Sequence, residues 1–143
     1  MLSKDYIFGL TDGEGSFTIY VRPPRKEHFA KNWRIECHYY VKMREYELPL
    51  LREVKKFFKC GRISFQRDKR KNHRNCYRFE ISDLANIEKV VIPLFKKDRN
   101  SLHSANRKKD FKIFCEIISL AAKKKHQTKQ GLEKILKLRA QMH

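Results

Sequence analysis

The chain alternates between two periods of apolar residues, and the switches between them outline the fold. Residues 4 to 13 read as a short helix with Tyr6, Ile7, Phe8 and Leu10 apolar, leaving through the glycine- and acid-rich run Asp12-Gly13-Glu14-Gly15. Phe17, Ile19 and Val21 then alternate with Ser16, Thr18, Tyr20 and Arg22, the period-two signature of a half-buried strand. Pro23-Pro24 and a basic loop interrupt it. From residue 34 the alternation resumes, with Ile35, Cys37, Tyr39 and Val41 on one face and Arg34, Glu36, His38, Tyr40 and Lys42 on the other.

Between about 45 and 58 the period lengthens. Leu48, Leu51, Val54 and Phe58 recur at three and four, as on an amphipathic helix that Cys60-Gly61 stops. A third strand carries Ile63 and Phe65 opposite Arg62, Ser64 and Gln66. A fourth, beyond the basic loop Arg67–Asn75, carries Tyr77, Phe79 and Ile81 opposite Cys76, Arg78 and Glu80. Leu84, Ile87, Val90, Val91 and Leu94 mark a helix disturbed near its end by Pro93. Phe111, Phe114, Cys115, Ile118 and Ala122 mark another, and Leu132, Ile135, Leu136 and Met142 a last one. The expected class is α+β, one domain over residues 1–143: four antiparallel strands covered by helices on their apolar side and open on the other.

Composition tells what the open face meets. Thirty-four Lys and Arg against sixteen Asp and Glu leave a formal charge of +18, which implies a polyanionic partner. A polar, basic and aromatic sheet face suits a DNA duplex, since strands fit the major groove; any solvated antiparallel sheet shows the same alternation. No apolar run approaches the roughly 20 residues of a membrane span. The N-terminus lacks a cleavage site for secretion, so the expected location is intracellular, a prokaryotic cytoplasm or an organelle. Cys37, Cys60, Cys76 and Cys115 are isolated, without zinc-ligand spacing even counting His28, His38, His73 and His103, and read as reduced thiols.

The chemistry concentrates in Ile7 to Gly15. Gly9 and Gly13 are four apart and share one helix face, where small residues let two helix backbones approach. Glu14 follows directly. Two copies of the helix side by side bring two Glu14 carboxylates together, a repulsion best relieved by hard divalent cations, Mg²⁺ above all. Such a metal, shared with a scissile phosphate, would activate water and stabilise the leaving oxygen. The same residues also fit a plain turn with solvated acids. They fit neither an EF-hand register nor a dinucleotide loop, since here a helix precedes and a strand follows.

IFGLTDGEGSF resembles the signature of the LAGLIDADG homing endonucleases, and the resemblance continues through Trp33 to Val41, KKFFKCGRI, RKKDFKIFCEII and HQTKQGLEKILKLRAQMH, essentially the whole chain. It implies a saddle-shaped sheet, with the motif helix at a homodimer seam made by Ile7, Gly9, Leu10, Asp12 and Gly13. It implies cleavage of a long, near-palindromic duplex with Mg²⁺ or Mn²⁺ held by Glu14 and Gly13, and Asp12 in a supporting role. Near the scissile bond it places Glu14, Arg107 and the adjacent Lys108. Three positions depart from the pattern: Phe8 stands for a small residue, Met43, just after the second strand, for a polar glutamine, and Arg107 for a lysine. A thioether does not orient water, and an arginine keeps charge without serving as a base.

The polar strand faces supply the DNA contacts: Thr18, Tyr20, Arg22, Arg34, Glu36, His38, Tyr40, Lys42, Ser64, Gln66, Arg78 and Glu80. Arg67, Lys69, Arg70, Lys71 and the run Lys123–Lys125 would meet phosphates or water. The competing function is a non-cleaving relative, a maturase or a decayed nuclease, with intron RNA as a further partner.

Overall fold

The computed structural model describes residues 1–25 and 32–143; His28 and most of the basic loop after Pro23-Pro24 lie outside the described residues. Helix α1 (Lys4–Glu14) opens with the Ser3 hydroxyl accepting the Tyr6 N–H, a normal N-cap. It closes where the Gly15 N–H donates to the Thr11 carbonyl. The helix therefore continues through Gly13 and Glu14, beyond the end that the glycine-acid run suggests. Its stop is set by strand pairing, because Gly15 already faces Val41 across the sheet. A side chain at Gly15 has no room: an added Cβ would stand 2.7 to 2.9 Å from three Thr11 atoms.

Strands β1 (Gly15–Arg22), β2 (Arg34–Arg44), β3 (Arg62–Gln66) and β4 (Cys76–Ile81) form one antiparallel sheet in the order β1-β2-β4-β3. Strand β2 is 11 residues long because it serves two partners. β1 pairs from Arg34 to Val41, and β4 pairs from Tyr39 to Arg44. Met43 consequently lies inside β2, opposite Tyr77, and not beyond the strand as the spacing suggests.

A 3₁₀ turn at Glu45–Glu47 leads into α2 (Leu48–Phe58), which buries Leu51, Val54 and Phe58 and ends at Lys59 with φ 59°. Gly61, at φ 90°, turns the chain into β3 with the Phe79 ring and the Glu80 carbonyl against it, a place for glycine alone. Asp83 caps the short α3 (Leu84–Asn86), which passes through a π turn, Ile87–Val91, into α4 (Ile92–Lys97). The disturbance expected near Pro93 appears upstream of it: Pro93 cannot donate to the preceding turn, which widens so that the Ile92 N–H reaches the Ile87 carbonyl. Helices α5 (Ala105–Ala122) and α6 (Lys129–Ala140) are capped by Ser104 and Thr128. Met142 is buried but lies past the end of α6.

One continuous core joins the sheet to these helices. Phe17 is its hub, its ring 5.0 to 5.4 Å from those of Tyr39, Phe95, Phe111 and Phe114. Full burial of each such ring contributes about 1.5–3 kcal/mol. Tyr39 is fully buried and its hydroxyl meets the Thr11 Oγ1 at 2.8 Å, so the phenol at the sheet centre also pins α1. Phe65, on the apolar register of β3, stays 49% exposed. It lies on an edge strand, resting edge-on against Tyr77.

Candidate active site and nucleic-acid interface

Glu14 is the last residue of α1 and is exposed. It borders a cleft of about 540 Å³ shared with Lys42, Met43, Arg44, Tyr46, Glu47 and Cys76. Among the described residues it has no hydrogen-bond or ion-pair partner, although Lys42 and Arg44 line the same cleft. Its carboxylate adds to the partial negative charge of a helix C-terminus with no basic residue in its last turn. Carboxylate and carbonyl oxygens are hard donors and suit Mg²⁺ or Mn²⁺. Among the described residues no three His, Cys, Asp or Glu side chains gather to hold a metal ion, so Glu14 and the Gly13 carbonyl could supply only part of a ligand set. The four cysteines are free thiols.

The outward side of α1 is Tyr6, Gly9 and Gly13, with Leu10 half-buried at its edge and packed against the core. Tyr6 is 46% exposed, and an added Cβ at Gly9 or Gly13 would meet nothing within 4 Å. Ile7, grouped with the seam on the strength of the motif, is instead fully buried in the chain's own core. Phe8 also points inward, its ring 5.6 Å from Phe95, so its bulk does not obstruct the outward face. Asp12 is half-buried and turns toward α5. Its carboxylate accepts the His103 N–H at 2.8 Å and the Ser104 N–H at 3.1 Å, holding the entry to that helix.

Arg107 and Lys108 are adjacent in sequence, but their side chains serve different surfaces. Successive residues on a helix lie about 100° apart, so only one of them faces α1. Arg107 is half-buried and its Nε donates to the Thr11 carbonyl at 3.3 Å, tying α5 to the end of α1 just behind Glu14. Lys108 is exposed over a different cleft, beside Phe95, Arg99 and Phe111, and does not line the Glu14 cleft.

The polar sheet face is a connected array of cations, acids and rings. Arg22 bonds Glu36 at 3.2 Å and lies over the Tyr20 ring, which packs edge-on against His38. The Arg78 guanidinium lies 3.5 Å from the Tyr40 ring centre. Arg34 and Tyr40 are half-buried, Lys42 is exposed, and Gln66 donates to the Ser64 hydroxyl at 3.3 Å. Two of the residues assigned to DNA are covered. Thr18 is 5% exposed, opposite His38 and bonded to the Ser16 hydroxyl. Glu80 is 6% exposed beneath Arg62, Arg78 and His38. In the hairpin loop Arg70 clasps Asp68, holding that carboxyl well below the usual carboxylate range. Arg67, Lys69 and Lys71 stay exposed.

A sequence model of the LAGLIDADG endonuclease family matches residues 7–118. The chain belongs to that family. Probable intron-encoded endonuclease 2 of Neurospora crassa is 31% identical over 144 residues, covering 99% of this chain but 29% of its own length. The homing endonuclease I-TnaI superposes with a TM-score of 0.80 at 28% identity, over 99% of this chain and 88% of that one. I-SmaMI, bound to uncleaved DNA target in the presence of calcium ions, superposes with a TM-score of 0.82 at 28% identity, over 100% of this chain and 45% of that one. The α+β sheet with helices on one side is thus the LAGLIDADG fold. Among the described residues no helix is long and apolar enough to cross a membrane.

Two features of this LAGLIDADG chain escaped the reading of its motifs. Glu47, from the turn after β2, shares the Glu14 cleft; only the path of the chain brings it there. Arg62 is on the polar face and exposed, and the alternation of β3 was the signal that could have added it.

Proposed function

We propose that this chain is one subunit of a site-specific DNA homing endonuclease. Two copies meet along the outward face of α1, and the paired sheets cover a long near-palindromic duplex. The observation that carries the reading is the exposed, unpaired Glu14 carboxylate at the end of α1, on a fold whose solvated sheet face is rich in arginine. The single unit corresponds to under half of the I-SmaMI chain, which supports the pairing of two such units. The open positions of Gly9 and Gly13 leave room for a second helix to approach.

Glu14 and the Gly13 carbonyl would hold the divalent cation, Mg²⁺ or Mn²⁺. When bound it supplies a lowered pKa for coordinated water and charge stabilisation on phosphate. The chain's own groups do the rest. Lys42 and Arg44, lining the cleft, neutralise the backbone phosphate that enters it. Arg107 and Asp12 fix α5 against the end of α1 and so hold Glu14 in place. In this reading Arg107 is a positioning residue, and Lys108 contributes general positive potential. The domain acts as one unit over residues 1–143.

One observation favours a second reading, a non-cleaving binder of DNA or intron RNA. The Glu14 cleft presents the Met43 thioether where a water-orienting amide would serve, and Arg107 is engaged by a carbonyl. The test uses a duplex made by joining the DNA flanks of the host gene. With Mg²⁺ the wild type cuts it, chelation stops cutting but not binding, and Glu14→Gln binds without cutting. Tight binding by the wild type with no nick at any metal concentration would replace the nuclease reading with the second one.

A further inference from the structure

Glu80 is a carboxylate on the face of the sheet meant for solvent, yet its side chain is 7% exposed. It is covered by two arginines and a histidine, which come from three strands. Arg78 Nη2 lies 2.9 Å away, His38 Nδ1 3.2 Å and Arg62 Nη2 3.3 Å. A charge removed from water in this way is tolerated when it is paired, and it fixes its partners in return. The two arginines are held differently. Arg78 is clamped twice, by Glu80 and by the Tyr40 ring, and its side chain is 21% exposed. Arg62 touches Glu80 through one terminal nitrogen while its side chain stays 73% exposed. The rest of its fork faces outward, next to Ser64 on the same face of β3.

A carboxylate behind an arginine restricts the rotamers of a long side chain and presents a planar, bidentate donor edge. In the major groove that edge matches the O6 and N7 acceptors of guanine, and no other base offers the same pair. We propose that Arg62 is a guanine-reading side chain of the sheet and that Glu80 is the buried positioning residue that aims it. Glu80 then touches no base. The array Arg78–Tyr40 braces the carboxylate from the other side. This inference rests on the reading of the sheet as the DNA-binding face.

The experiment measures binding of the full chain, with calcium in place of magnesium to prevent cutting, to the duplex of joined gene flanks. A panel of duplexes replaces each G·C pair in turn by A·T. Wild type should lose affinity at several G·C pairs; if it binds every duplex alike, the DNA-reading function itself falls, and this inference with it. Arg62→Ala should lose discrimination at one G·C pair in each half of the site, by about 5- to 150-fold, while other positions keep theirs. Arg62→Lys should not restore it, because an ammonium lacks the fork. Glu80→Gln should relax the same position, and adding it to Arg62→Ala should change nothing more there. Glu80→Asp, which keeps the charge but withdraws it by one carbon, should relax that position too and serves if the glutamine variant fails to fold. Equal weakening on every duplex for Arg62→Ala would make it a phosphate contact and overturn the proposal. So would a Glu80 variant that relaxes other positions, or none.

Discussion

The outward face of α1 allows a test in which folding and assembly respond with opposite signs. Gly9 lies in the interior of an 11-residue helix, and a methyl added there meets nothing within 4 Å. Alanine is favoured over glycine in a helix interior by about 0.8–1.0 kcal/mol. Gly9→Ala should therefore stabilise the isolated subunit by about that amount, raising the melting temperature by roughly 2–4 °C for a domain of this size. If two α1 helices pack through this face, the same methyl intrudes where the backbones meet. Overpacking costs about 1–3 kcal/mol per site, and a two-fold axis counts it twice, so the dimer should weaken, its dissociation constant rising on the order of 30-fold or more. Gly13→Ala keeps the backbone carbonyl and should act in the same directions. Sedimentation velocity over a dilution series gives the dissociation constant, and thermal unfolding at dilutions where the chain is monomeric gives the subunit stability. A lower melting temperature for the monomeric variant would refute the claim that Gly9 faces open space. An unchanged dissociation constant would place the dimer seam elsewhere.

Asp12→Ala removes the acceptor for the His103 and Ser104 N–H groups and should cost about 2–3 kcal/mol, seen by calorimetry as a drop of roughly 6–12 °C. A loss under about 0.5 kcal/mol would mean that Ser104 alone caps α5. The thiols give a pH signature. Burial pushes both Cys37 and Cys115 from 9.0 up to about 11. The folded chain thus holds two protons that the unfolded chain releases, and stability that is complete below pH 9 should decline as pH rises toward 11. Alkylation at pH 8 should be slow at both until the chain unfolds, with Cys76, which lines the Glu14 cleft, modified first; rapid labelling of Cys37 in the folded state would contradict its burial.

How much of this was legible in the sequence depends on the range of the interaction involved. The inward faces of the strands were, because Phe17, Ile19, Tyr39, Val41, Phe79 and Ile81 obey a period that local geometry alone enforces. So was the family, because the residues from Ile7 to Gly15 carry its pattern. Element ends were harder to place. Strand β2 extends past Met43 because β4 pairs with its second half, and α1 runs through Glu14 until pairing with Val41 begins.

The structure also redistributed roles within sets of residues that the sequence treats alike. Ile7 and Gly9 belong to one motif, but one is sealed in the core and the other faces open space. Arg107 and Lys108 are adjacent, but they point to different surfaces. Glu80 keeps the polar register of its strand and is nonetheless buried, because Arg62, Arg78 and His38 converge on it from three strands. Periodicity fixes only which side of an element a residue takes. Whether that side chain then meets solvent, a charge or the core is decided by neighbours distant in sequence, and only the tertiary structure brings those together.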